Sequence, residues 1–163
     1  MQRLWPIVMM MMIKSNQNSC NIPANLEIKS INSDGIFEGY ASVFGNSDLH
    51  GDIIHKKSFQ YSLKTNIDNI HMLFQHDLSM PLGKWLKIEE DEFGLYVQGK
   101  IFRNLYMGQK VWEMLKSKII YGLSIGFIPI IYKREAHIRT IFQIDLHEIS
   151  IVKCPANPKA YIK

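Results

Sequence analysis

A chain of 163 residues can bury one sizeable core but is too short for two domains of ordinary size. Hydrophobic residues make up 47% and charged residues 21%, which excludes a disordered polypeptide. The formal charge of +4 comes from Lys and Arg scattered along the chain, which describes a solvated surface rather than a stripe built for nucleic acid.

Arg3 precedes an apolar run over residues 4–13, followed by the polar stretch Lys14-Ser15-Asn16-Gln17-Asn18. The run is too short to cross a bilayer as a helix, and no small-x-small cleavage pattern follows it. Residues 1–22 are therefore expected to be an extension outside the fold, disordered or a non-native start. A pro-segment and a secretion signal are the alternatives. The domain proper is expected over residues 23–163.

Residues 26–31 alternate apolar and polar with period two, as a half-buried strand does. Asn32-Ser33-Asp34-Gly35 is a turn signal, and residues 36–44 complete a hairpin. Residues 45–52 form a polar loop punctuated by Gly45 and Gly51. Phe59 and Leu63, four apart, predict a short helix over 58–63. Residues 69–75 read as a strand, and 82–89 with 95–102 as a hairpin around the acidic turn 90–94. Met107, Val111, Met114, Leu115 and Lys118 fit a 3.6-residue period, predicting a helix over 105–118. Residues 119–132 and 138–152 form a last pair of long strands, and Pro155 and Pro158 punctuate the end.

Six or seven antiparallel strands with two helices in the crossovers predict a mainly β fold with flanking helices (α+β). The expected architecture is a closed or nearly closed antiparallel barrel. No GxGxxG fingerprint or complete P-loop is present, so no nucleotide cofactor is expected. His50, Asp52 and His55 lie close together in the loop region, but no HExxH or paired-cysteine motif accompanies them, so no metal is expected. Cys20 and Cys154 match neither a disulfide framework nor a zinc pair and are expected as free thiols.

Ser124 follows the predicted second helix, inside Gly122-Leu123-Ser124-Ile125-Gly126-Phe127. The flanking glycines let backbone or substrate approach closely. The setting is helix-to-strand, opposite to a nucleophile elbow, so a structural serine and a nucleophile are both consistent with it. A nucleophilic serine needs a base within hydrogen-bond reach. His76 closes the apolar strand Met72-Leu73-Phe74-Gln75 and meets a polar turn, where a sheet could hold it facing a cleft. In the last strand, period two places Leu146, Glu148 and Ser150 on one face and His147, Ile149 and Ile151 on the other. Glu148 fits the role of an acid that orients the histidine, with His147 as the alternative and an exposed strand-face residue as the bland reading of either.

Four blocks in order resemble the phage prohead (capsid-maturation) serine protease family, related to the herpesvirus assemblins. The first is Phe37-Glu38-Gly39-Tyr40-Ala41-Ser42-Val43-Phe44-Gly45-Asn46 with Gly51-Asp52, and the second is Leu73-Phe74-Gln75-His76-Asp77 with Pro81-Leu82-Gly83-Lys84-Trp85. The third is the Ser124 block, and the fourth is Leu146-His147-Glu148-Ile149-Ser150-Ile151-Val152 with Pro155-Ala156-Asn157-Pro158-Lys159-Ala160. The resemblance implies the assemblin fold, an antiparallel barrel flanked by helices. It implies Ser124 as nucleophile, His76 as base and Glu148 as third member. His147 stays the alternative, because assemblins use a histidine there. It implies a serine endopeptidase that cuts scaffolding protein, or the scaffolding segment of the major capsid protein, and itself. The place of action would be the assembling prohead in the bacterial host cytoplasm. Self-association as a dimer is expected by the same analogy, without nucleic-acid or membrane partners. The non-enzymatic alternative is a catalytically silent protease-fold assembly or scaffold factor.

Overall fold

The computed structural model describes residues 31–163. The expectations for residues 1–22, and for a strand over 26–31 apart from Ile31 itself, fall outside the described residues. The elements in chain order are β1 (Ile36–Val43), β2 (Asp52–Ile54), α1 (Gln60–Thr65) and a 3-10 turn (Ile67–Asn69). They continue with β3 (His71–Phe74), β4 (Asp77–Glu90), β5 (Gly94–Ile101), α2 (Tyr106–Lys116), β6 (Gly122–Glu135) and β7 (Ile138–Val152). Among the described residues no helix is long and apolar enough to cross a membrane.

The seven strands form one curled sheet in the order β1-β5-β4-β3-β7-β2, with β6 also paired to β7. Period-two burial drives the central strands. In β5, Leu95, Val97, Gly99 and Ile101 point inward, and Leu95, Val97 and Ile101 lie in the core beside Phe37 and Ala41 of β1. Removing such aliphatic side chains from water supplies about 1.5–3 kcal/mol each. α2 covers part of this sheet through Gly108, Val111 and Leu115, the 3.6-residue stripe the sequence predicted, shifted by one position at its start.

Two expectations about the sheet are corrected. The sheet is not uniformly antiparallel: β2 and β3 both run parallel to β7, while β1/β5, β4/β5, β3/β4 and β6/β7 are antiparallel. Parallel pairing requires a long connection, and here the whole segment from β4 to β6 separates β3 from β7. A period of two is the same for parallel and antiparallel neighbours, so the strand pattern alone could not reveal it. Nor is the barrel closed. The sheet is a curled half-barrel, and β1 and β6 share no ladder. Single bridges to the C-terminal segment, Gly39 to Ile162 and Gly122 to Tyr161, tie the two margins. Cys154, expected as a free thiol, is disulfide-bonded, since separation along a chain does not fix separation in a fold.

Between the stretches of β7 that pair with β2 and β3, the short helix takes the place of a strand. Ser62 Oγ donates to the Ile144 carbonyl at 2.9 Å and accepts the Leu146 N–H at 2.7 Å. Ser58 Oγ donates to the Ile141 carbonyl at 2.8 Å, and the Ser58 carbonyl accepts the Ile144 N–H at 3.1 Å. Buried backbone groups of β7 that no strand reaches are satisfied in this way. β7 is thus fixed on both sides along most of its length, which makes it a rigid carrier for side chains.

Candidate active site

Of the candidate residues singled out in the sequence, Glu148 lies near the end of β7, Ser124 on its neighbour β6 and His76 in the turn between β3 and β4. β6 and β7 pair so that Ser124 stands opposite Ser150 and Gly126 opposite Glu148. Antiparallel partners project to the same side, so Ser124, Ser150 and Glu148 share one face. On the opposite face Leu123, Ile149 and Ile151 are fully buried in the core.

His76 arrives from the other side of β7. β3 runs parallel to it, with Leu73 beside Ser150 and Phe74 beside Ile151. The chain then reverses into β4 through Gln75 and His76, with Phe74 and Asp77 paired. Both turn residues have left-handed backbones, with φ of +52° and +63°. Positive φ at both central residues is the signature of a type I′ hairpin turn, which favours Asn-Gly. Holding two residues with side chains there costs on the order of 1–3 kcal/mol each. The sequence pattern had placed Gln75 in a strand. The left-handed turn reverses the chain at that point and brings the imidazole over β7.

The result is a hydrogen-bonded network around a buried carboxyl group. His76 Nδ1 lies 2.5 Å from Glu148 Oε1, and the Glu148 side chain is 1% exposed. Ser150 Oγ donates to Glu148 Oε2 at 2.6 Å and accepts the His76 backbone N–H at 3.1 Å. Both carboxylate oxygens are therefore occupied, as a buried carboxylate requires. With Nδ1–H donating to Glu148, the Nε2 lone pair is left as the acceptor on the ring. Ser124 is 5% exposed, and among the described residues its hydroxyl makes no hydrogen bond.

Sequence periodicity left His147 open as a partner of His76. The β6–β7 register passes from Glu148 to Leu146, so a bulge falls at His147. His147 Nε2 lies 3.2 Å from Asp145 Oδ2 on its own strand. Glu148 occupies the place beside His76.

Gly126 has a role that its sequence setting only hinted at. A Cβ at this position would lie against Glu148 Oε1 and 2.8 Å from its Cδ. The glycine is the seat of the carboxylate. Gly126→Ala is expected to push Glu148 off His76 and to lower stability by ~1–3 kcal/mol, the range for overpacking a dense site. Urea unfolding would show it, and a variant as stable as the parent would mean that the carboxylate has another seat.

The loop histidines are not gathered into a ligand set. Among the described residues no group of three or more His, Cys, Asp or Glu is placed to hold a metal ion. Asp52 is instead committed to Arg139, with hydrogen bonds of 2.7 and 2.6 Å that hold the guanidinium pKa above its usual value. Burial pushes the Asp48 carboxyl up, although it accepts the backbone N–H groups of His50 and Asp52.

The model of the caudovirus prohead serine protease family matches residues 24–163. The chain belongs to this family. It is 37% identical to the prohead protease of Enterobacteria phage HK97 over 134 residues, which is 78% of this chain and 59% of that protein. It is 29% identical to the prohead protease of Escherichia phage T5 over 146 residues, covering 83% and 68% of the two chains. Among solved structures it resembles the bacteriophage T4 capsid assembly protease, with TM-score 0.60, 10% identity and coverage of 72% and 80%. It also resembles KSHV protease in complex with a hexapeptide phosphonate inhibitor, with TM-score 0.55, 10% identity and coverage of 78% and 63%. At such low identity these two likenesses speak for the fold alone. They agree with a prohead protease chain folded as a curled sheet of the herpesvirus-protease kind.

Proposed function

We propose that this prohead protease chain is a serine endopeptidase of phage head maturation, with Ser124 as nucleophile, His76 as base and Glu148 as the acid that orients it. The observation that carries the reading is the 2.5 Å contact between His76 Nδ1 and a carboxylate that is 1% exposed, on the same sheet face as Ser124. A buried carboxylate on Nδ1 selects the tautomer whose Nε2 can accept a proton, and it stabilises the imidazolium that results. Ser124 Oγ would attack the scissile carbonyl as Nε2 takes its proton. His76 would then return that proton to the leaving amine, giving an acyl-enzyme. Water, deprotonated by the same nitrogen, would release the second product. The Ser124 hydroxyl is not held by another group among the described residues, so a substrate can bring it and the imidazole into contact.

The proposed substrates are scaffolding protein or the scaffolding segment of the major capsid protein, and the chain itself. Membership of the caudovirus prohead serine protease family supports this. The proposed setting is the assembling prohead in the bacterial host, with the protease unit over residues 23–163 acting as a dimer. A serine-directed peptidyl phosphonate tests the chemistry. It is expected to label the protein in precursor shells at a single residue, with the adduct mapped by mass spectrometry to Ser124. An unlabelled protein, or an adduct on another serine, would overturn the reading.

A further inference from the structure

Ser150 is a buried polar residue that the proposed acyl-transfer steps do not use. It is fully enclosed, and its hydroxyl makes two hydrogen bonds. Oγ donates to Glu148 Oε2 at 2.6 Å and accepts the backbone N–H of His76 at 3.1 Å. It therefore binds both ends of the His76–Glu148 pair: the oxygen of the carboxylate that His76 does not use, and the main chain that carries the imidazole. The neighbouring turn residue is held by β7 as well, through the Gln75 N–H to the Ile151 carbonyl at 3.1 Å.

This double attachment matters because the turn is strained. Gln75 and His76 both have positive φ, in a hairpin turn whose favoured residues are Asn-Gly. Left to itself, such a turn would relax and carry the imidazole with it. One hydroxyl bridging the turn and the carboxylate couples the position of the ring to the position of its acid. Ser150 is also the cross-strand partner of Ser124, so it stands beside that residue on the same face of the sheet.

We propose that Ser150 is a positioning residue, which clamps the His76 turn against β7 and aligns the Glu148 carboxylate with Nδ1. The proposal rests on the reading of Ser124, His76 and Glu148 given above. Its effect should fall on the chemical step and not on substrate binding, because Ser150 is buried beneath the pair and has no exposed surface to offer a ligand.

Four proteins test it: the parent, Ser124→Ala, Ser150→Ala and Ser150→Thr. Each is reacted with a peptidyl diphenyl phosphonate, and the rate is fitted to a binding constant and a maximal inactivation rate. Ser150→Ala is expected to lower the maximal rate about 10–100-fold, with the binding constant changed less than about two-fold. Ser150→Thr keeps the hydroxyl and should recover most of the rate. Ser124→Ala should form no adduct. If Ser150→Ala reacts at the parental rate while Ser124→Ala is inert, the positioning role is overturned and the nucleophile stands. If Ser124→Ala is still labelled, the nucleophile is wrong, whatever Ser150 does. If Ser150→Ala loses rate and melting temperature together and Ser150→Thr recovers neither, the serine is structural only and the proposal falls.

Discussion

A Ser124→Ala protein is expected to leave a co-expressed capsid or scaffold precursor uncut, with cleavage slowed on the order of 10⁴–10⁶-fold, as when a serine peptidase loses its nucleophile. The structure shows why no neighbour should take over. The nearest hydroxyl by strand pairing is Ser150, opposite Ser124 in the β6–β7 ladder. Its proton is directed at Glu148 Oε2, and its oxygen accepts the His76 backbone N–H. It is committed to Glu148 and the His76 main chain and has no exposed surface. Residual activity should therefore be limited to what binding and backbone dipoles supply to an attacking water. Gel analysis of precursor shells would measure this directly. Shells matured by the alanine variant at anything near the parental rate would remove Ser124 from the mechanism.

The second large effect is expected at the carboxylate. Glu148→Ala should lower kcat on the order of 10³–10⁴-fold, whereas His147→Ala should change it only several-fold. The two residues are adjacent in sequence, but their environments differ. Glu148 lies 2.5 Å from His76 Nδ1, while His147 falls at the bulge with its Nε2 3.2 Å from Asp145 Oδ2. Removing Glu148 takes away the acceptor that holds the imidazole tautomer and leaves the Ser150 hydroxyl without its acceptor. Some loss of stability should accompany the loss of rate, so kcat is to be compared at temperatures where both variants remain folded. Equal, small losses in the two variants would mean that neither serves as the third member.

These two expectations bear on the non-enzymatic alternative, a protease fold retained only for assembly. A silent assembly factor has no need for a buried glutamate clamped to a histidine in a strained turn. Burying such a carboxylate is costly unless it is fully paired, and strained backbone persists only where the surroundings hold it. The coincidence of both costs at His76 and Glu148 favours an active site.

By itself, the sequence determined the local elements and the residue types available for chemistry. The last strand was read over 138–152, where β7 lies, and the second helix was read over 105–118, around the observed Tyr106–Lys116. Both followed from periods written in consecutive residues, which need no knowledge of distant partners. The glycine-flanked Ser124, the strand-end His76 and the last-strand Glu148 were legible as candidates for the same reason. Tertiary structure alone decided how they meet. β3 and β7 run side by side and parallel although the whole stretch from β4 to β6 lies between them, and a period of two carries no information about such a neighbour. The left-handed turn at Gln75 and His76, the bulge at His147, the seating of Glu148 over Gly126 and the hydrogen bond from the His76 N–H to Ser150 all depend on contacts between segments distant in the chain. The alternation that put Glu148 and Ser150 on one face was visible beforehand. Which of Glu148 and His147 would touch His76 was not, because strand alternation sets the side a residue faces and only packing sets what waits there.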